Sequence, residues 1–375
     1  MNIDFWYSNI SGGTGIQTLI EKLGLSLFKD IEVEVPNKKN INFLVFQWET
    51  SNAINPINQY QTHSDEFISL LKKLQNEGFY FIADFSTEAH SNTDSLSLEF
   101  LNILNRNQID LKRLILAKND SSTTHLRKIK YGNYYLNTCF FPHFFINTFY
   151  KMQEYVIPRT NVVKDKIFLC LNRRLHTHKY LVLENLHKRG LLDETYYTAV
   201  KSYTKLTNNG FIKELPIQLD GDIMYGEGLE SADEYLYTIN PIWYYKSKVN
   251  LITETIFYEN SIHITEKTWK AIYLGVPFVV CASTNHLNNI HKFGFKTFGS
   301  LIDESYDSDL DYVGKIPKII DSGLELAKLA NTEEVESIVE FNKSLYFDEN
   351  HTKMVAKTMF LDEIVKINTQ ISALI

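Results

Sequence analysis

Short apolar runs alternate with stretches of helical periodicity along most of this chain, and that alternation restricts it to few folds. Ile3–Tyr7 is an apolar, aromatic run that leads into the loop Ser8–Gly15, after which Ile16, Leu19, Ile20, Leu23 and Leu27 recur at helical spacing. Next come the apolar run Ile41–Trp48, a helical stretch through Phe67, Leu70, Leu71 and Leu74 that stops at Gly78, and a second run, Phe79–Phe85. A helix carrying Leu98, Leu101 and Leu104 then precedes the strand candidate Lys112–Ala117. Strands separated by helices at this interval predict parallel sheets covered on both faces.

The pattern loosens between Phe149 and Lys166, where Pro158 marks a boundary, and then resumes. Lys166–Leu171 reads as a strand. It is followed by a helix with Thr177 as N-cap, Leu183 and Leu186 on its inner face and Gly190 at its stop. Further on are the run Leu251–Tyr258, a helix from about Thr265 to Leu274 and the buried-strand run Val276–Cys281. Val355–Ile371, with Met359, Phe360, Ile364 and Ile367, reads as one long amphipathic helix. At 375 residues the chain is long enough for two cores. The expected architecture is therefore α/β: two Rossmann-like domains, 1–158 and 159–350, facing across a cleft, and a closing helix over 351–375. Ligands of such sheets sit at the carboxyl ends of the strands, beside helix N-termini.

The balance of 38 Lys and Arg against 45 Asp and Glu, a net charge of −7, argues against a nucleic-acid partner and requires that any anionic ligand be held by a few placed cations. Cys139, Cys170 and Cys281 are far apart and mostly flanked by apolar residues, so they read as buried thiols in a reducing compartment. The start of the chain has no basic region leading into a long apolar stretch, and the longest apolar runs fall well short of the roughly 20 residues that span a bilayer. The expectation is a cytoplasmic protein, with at most a peripheral membrane contact.

Three constellations carry chemistry. In Gly12-Gly13-Thr14-Gly15 the missing side chains let backbone amides at a helix start approach a phosphate or acceptor oxygen; the same letters also suit a plain strand-to-helix turn. Asn172-Arg173-Arg174 follows a strand directly, and paired guanidiniums there match the oxygens of a diphosphate. His176 and His178, close behind, read as loop residues, with no third group to make a metal site. The third is Tyr258-Glu259-Asn260-Ser261, then Thr265-Glu266-Lys267, running on to Gly275-Val276-Pro277. Thr265 can cap a helix and Glu266 suits its positive end, but Lys267 in the first turn costs roughly 0.3–1 kcal/mol against the helix dipole. That misplaced cation predicts a compensating anion, such as a bound phosphate.

This third segment resembles the signature of the α1,3-fucosyltransferases, in which Phe-Glu-Asn-Ser is followed by Thr-Glu-Lys, a helix and a Pro-Val-Val strand. Here Tyr258 stands for the Phe, and Glu259-Asn260-Ser261 and Thr265-Glu266-Lys267 match. The resemblance covers about 100 residues of the second half, counting the looser Asn172-Arg173-Arg174. From Gly294 through Asp307 the chain departs from those enzymes and is similar instead to a broader set of bacterial and phage glycosyltransferase-like proteins. The resemblance implies a GT-B glycosyltransferase whose second domain binds a nucleoside-diphosphate sugar. Lys267 would contact the diphosphate, Glu266 the ribose or sugar hydroxyls, and Tyr258, Glu259 and Asn260 would shape the donor pocket, with Thr265 at the helix start. Arg173 or Arg174 would take the second phosphate face.

The first domain would then bind the acceptor, a glycan or lipid-linked glycan, and supply a carboxylate base. Glu88, after the run Phe79–Phe85, is the first choice, with Asp84 and His90 behind it and Glu49 further off. The aromatic cluster Phe140–Phe145 either touches a lipid-linked acceptor or packs the domain interface. Asp220-Gly221-Asp222 follows no clear strand and reads as a turn rather than a metal motif. The expected enzyme is an inverting, metal-independent transferase of polysaccharide biosynthesis that needs no cofactor besides its nucleotide-sugar co-substrate. The alternatives are a phage-type transferase acting on DNA bases and a non-catalytic nucleotide-sugar-binding protein.

Overall fold

The computed structural model describes residues 3–7, 15–25, 27–28, 40–47, 64–84, 101–118, 128–131, 134–152, 162–202, 212, 215–219, 239–258 and 263–372. The chain divides into two compact units, one of Met1–Ile146 with Thr352–Ile375 and one of Asn147–His351. Both are α/β with parallel sheets.

The first unit holds seven strands: β1 (Ile3–Tyr7), β2 (Leu27–Phe28), β3 (Ile41–Gln47), β4 (Tyr80–Asp84), β5 (Leu114–Lys118), β6 (Lys128–Tyr131) and β7 (Tyr134–Phe140). Their spatial order is β2-β1-β3-β4-β5-β7-β6, parallel throughout except for the hairpin β6–β7. The period of two along a strand explains why these runs are apolar at nearly every position. Leu44, Phe46, Phe81, Ala83, Leu114 and Leu116 share one core with Trp6 and Phe79, with Ile68, Leu71 and Leu74 of the helix Ser64–Asn76, and with Leu101 and Leu104. Their alternates Phe43, Val45, Ile82, Ile115 and Ala117 are equally buried. Trp6 donates its indole hydrogen to Asn42 Oδ1 at 2.8 Å, which keeps the largest ring of this core satisfied.

Several elements differ from the expectation for identifiable reasons. The first helix covers only Gly15–Lys22, because Gly24 takes φ 65° and turns the chain. Leu27 leaves the helical pattern and pairs with Phe5 as an edge strand. The hairpin Lys128–Phe140 was not read from the sequence, although Gly132-Asn133 between two strand-like runs is a hairpin signal. Phe141, Phe144 and Phe145 are buried, and Phe141 meets Phe360 edge to face at 5.0 Å, so this cluster is core rather than a lipid-contacting surface. The tail is not one regular helix. Glu349–Ala356 passes into a π-turn at Lys357–Leu361 and then Asp362–Ser372, which keeps Val355, Phe360, Ile364 and Ile367 all buried.

The second unit contains β8 (Lys166–Cys170), β9 (Arg174–Leu175), β10 (Thr195–Tyr197), β11 (Lys201–Ser202), β12 (Ser247–Thr253) and β13 (Phe278–Cys281). β10-β8-β12-β13 form a fully parallel sheet, and β9 pairs separately with β11. The helix Thr177–Lys188 begins one residue earlier than expected: His176 holds the cap position and Thr177 is already helical. The run Leu251–Tyr258 is a strand only to Thr253, and Glu254–Tyr258 is its exit loop. Thr265 does cap the helix Glu266–Leu274, and Gly275 at φ 65° ends it. All three cysteines are buried free thiols. Among the described residues no helix is long and apolar enough to cross a membrane.

The helix Lys315–Leu329 packs on the sheet through Gly323, where a Cβ would lie 2.7 Å from the buried Phe168 ring and 3.3 Å from Val279. Alanine at an ordinary helix position gains about 1 kcal/mol over glycine. Overpacking of about 1–3 kcal/mol outweighs that gain here. Gly323→Ala should therefore lower the thermal midpoint, and Phe168→Leu in the same chain should recover part of the loss. A raised midpoint in the single variant would show that the helix shifts freely over the sheet.

Candidate functional site

The carboxyl ends of β8 and β12 in the second unit bring together several buried polar and charged residues, among them Asn172, His178, Lys179 and Glu254. β8 leads into Asn172, which is fully buried and joins three strand ends. Its backbone N–H donates to Thr198 Oγ1 at 2.7 Å, its amide donates to Cys170 Sγ at 3.3 Å, and its Oδ1 accepts from Thr253 at 2.6 Å. Burial pushes the Cys170 thiol up to about 11 against that hydrogen bond, so it stays protonated.

β12 leads into Glu254, a carboxylate with no exposed surface. Oε1 accepts from the Thr265 backbone N–H at 3.1 Å and from Thr268 Oγ1 at 2.7 Å, and Oε2 accepts from Thr265 Oγ1 at 2.6 Å. It therefore sits on the N-terminus of the helix Glu266–Leu274, where negative charge is favoured. Its own carbonyl lies 2.9 Å from His178 Nε2. The ring hydrogen on Nε2 donates there, which fixes the neutral tautomer. His178 is thus a buried helical residue rather than part of a loop.

Two lysines stand in first helical turns beside this carboxylate. Lys267 is paired within the chain: its Nζ lies 3.1 Å from Glu266 Oε1, 2.9 Å from Thr265 Oγ1 and 3.5 Å from Thr255 Oγ1. The anion that its position predicts is thus met by Glu266. Burial pushes the Glu266 carboxyl up, but Lys267 and Lys270 outweigh it and hold the group below its usual range. Lys179, the third residue of the helix Thr177–Lys188, differs. It is 3% exposed, and its ammonium has no hydrogen-bond or ion-pair partner among the described residues. Burial and then Lys267 push it down to about 8, with Glu254 and Glu266 acting in the opposite sense.

The same positive cluster acts on the imidazoles. Burial first, then Lys179, lowers His176, with Arg174 and Lys267 adding to it; burial and Lys179 bring His178 down to about 3. Arg173 is half-buried at the strand exit, and Arg174 is exposed in β9. Of the residues expected at a donor site, the structure thus places Arg173, Arg174, Tyr258, Thr265, Glu266 and Lys267 around one sheet edge. Glu259, Asn260 and Ser261 lie outside the described residues, as do Gly12, Gly13, Thr14, Glu49, Glu88, His90 and Asp220–Asp222. Asp84 is described and is fully buried at the end of β4.

Glu254 and Lys179 were missed. Glu254 had a signal, a charged residue directly after an apolar strand run and ahead of Thr265 and Thr268. Lys179 had none, because a lysine at a helix start reads as solvated until its burial is known. No protein-family model and no curated protein matches the chain.

The depressed His178 gives a test of this geometry. Its folded value near 3 lies below the unfolded value of about 6.5. Below pH 6.5 the unfolded chain takes up a proton that the folded chain refuses, so this contribution is present above pH 6.5 and is lost as pH falls toward 3. Unfolding free energy measured by urea titration should decline more steeply with acid in the wild type than in His178→Gln. Equal slopes between pH 6.5 and 4 would show that the imidazole is solvated.

Proposed function

We propose that the chain is a glycosyltransferase that moves a sugar from a nucleoside-diphosphate donor to a glycan hydroxyl, with the donor's phosphates held at the carboxyl edge of the β10-β8-β12-β13 sheet. The observation that carries this reading is Lys179. A buried ammonium without a described partner, placed in a first helical turn where the dipole opposes it, is a standing cost unless an anion completes the site. Arg173, Arg174 and Lys267 surround the same edge, so a diphosphate leaving group would meet several positive charges. The Thr265-Glu266-Lys267 resemblance supports a sugar nucleotide over other phosphate esters. In this scheme Glu254 is the acid that positions the helix start, while Lys267, already neutralised by Glu266, contributes less than Lys179.

Lys179→Met should weaken pyrophosphate binding about 10- to 150-fold, the worth of one charge-assisted hydrogen bond, while thermal stability holds or rises. Lys267→Met should cost less. The reverse ranking in calorimetry would move the phosphates to the Glu266–Leu274 helix alone. Hydrolysis of nucleoside-diphosphate sugars, screened without acceptor, tests catalysis: turnover of one sugar nucleotide that Lys179→Met abolishes is expected. Tight binding with no hydrolysis or transfer would leave a binding protein.

A further inference from the structure

The exit loop of β12 also presents an aromatic surface whose role the phosphate reading leaves open, and the inference drawn from it rests on that reading. Tyr258 is 43% exposed, yet its ring is held edge to face by Phe257 at 5.0 Å, Tyr312 at 5.7 Å and His178 at 5.9 Å. Phe257 in turn stacks on His178 with centroids 5.0 Å apart and planes 14° apart. Behind these rings lies the buried Lys315 ammonium, 5.0 Å from Phe257 and 5.6 Å from Tyr312, which donates to the Ala282 carbonyl at 2.5 Å. Tyr258 is therefore an exposed ring already fixed in one orientation, so stacking a planar ligand on it orders little further.

Its position selects the ligand. His178, in ring contact with Tyr258, is the residue before Lys179, and Thr255, on the same loop, reaches Lys267. One short stretch of chain thus joins an aromatic platform to the cation cluster. On either side of Tyr312 in the chain, Leu310 and Val313 are 72% and 60% exposed, among the exposed large hydrophobic side chains of the described residues. A ligand with an aromatic heterocycle at one end and phosphates at the other uses both parts; inorganic polyphosphate or a simple sugar phosphate leaves the rings uncovered. We propose that Tyr258, backed by Phe257 and Tyr312, is the stacking platform for the nucleobase of a nucleoside diphosphate whose phosphates lie at Lys179.

The test is calorimetry on the full chain with pyrophosphate, ADP, UDP and adenosine at one salt concentration. Wild type should bind ADP and UDP about tenfold or more tightly than pyrophosphate, the scale of one base–aromatic stack. Tyr258→Ala should remove most of that gain while leaving pyrophosphate affinity unchanged, and Tyr258→Phe should keep it. Nucleotides that bind no better than pyrophosphate, or a Tyr258→Ala chain that keeps the full gain or loses pyrophosphate equally, would overturn the platform and leave the phosphate site standing. If neither pyrophosphate nor the nucleotides bind, the adenosine arm decides. Saturable adenosine binding that Tyr258→Ala abolishes supports the platform while the phosphate reading falls, and no adenosine binding overturns both.

Discussion

A buried carboxylate without compensation costs several kcal/mol, and the second unit is organised around the compensation of one, Glu254. Two hydroxyls and a backbone N–H converge on its oxygens, all three from the first turns of the helix Glu266–Leu274 or its cap. Its carbonyl accepts from His178 of a second helix. One residue thus ties the end of β12 to the starts of two helices. Removing its charge would loosen the start of the helix Glu266–Leu274, while the His178 contact, made to the backbone carbonyl, would remain.

The two lysines beside it show how similar sequence positions acquire different chemistry. Lys267 can fold back on Glu266 and Thr265 because both are adjacent in the chain, so its charge is settled locally. Lys179 has Lys267 and two carboxylates within electrostatic reach but no partner in contact among the described residues, and the surrounding burial lowers its proton affinity. Burial first, and then the same cluster, lowers the proton affinity of the His176 and His178 imidazoles, and His178 stays neutral. The edge therefore combines neutral rings, used for packing, with ammonium and guanidinium groups that carry the charge.

Much of the fold is legible because its signals are local and redundant. A parallel strand buried on both faces must be apolar at consecutive positions, which made β1, β3, β4, β8 and β13 readable to within two residues. Thr265 and Gly275 delimit their helix because a hydroxyl cap and a left-handed terminal glycine are chemical requirements of helix ends. The errors fall where a long-range pairing competed with a local pattern. Leu27 fits the first helix by spacing but pairs with Phe5, and the hairpin β6–β7 draws its stability from the sheet it borders.

By itself the sequence determined the class of fold and which charged residues follow the strands of the second sheet. Periodicity and capping act over a few residues, and a linear reading can follow them. Only the tertiary structure decided which of those charges are neutralised. Burial, and the partners that residues such as Glu254 and Lys179 find or lack across 75 residues of chain, depend on how strands and helices assemble. That is why Lys267, conspicuous in the sequence, is a locally paired residue in the fold, while the unremarked Lys179 holds the buried charge.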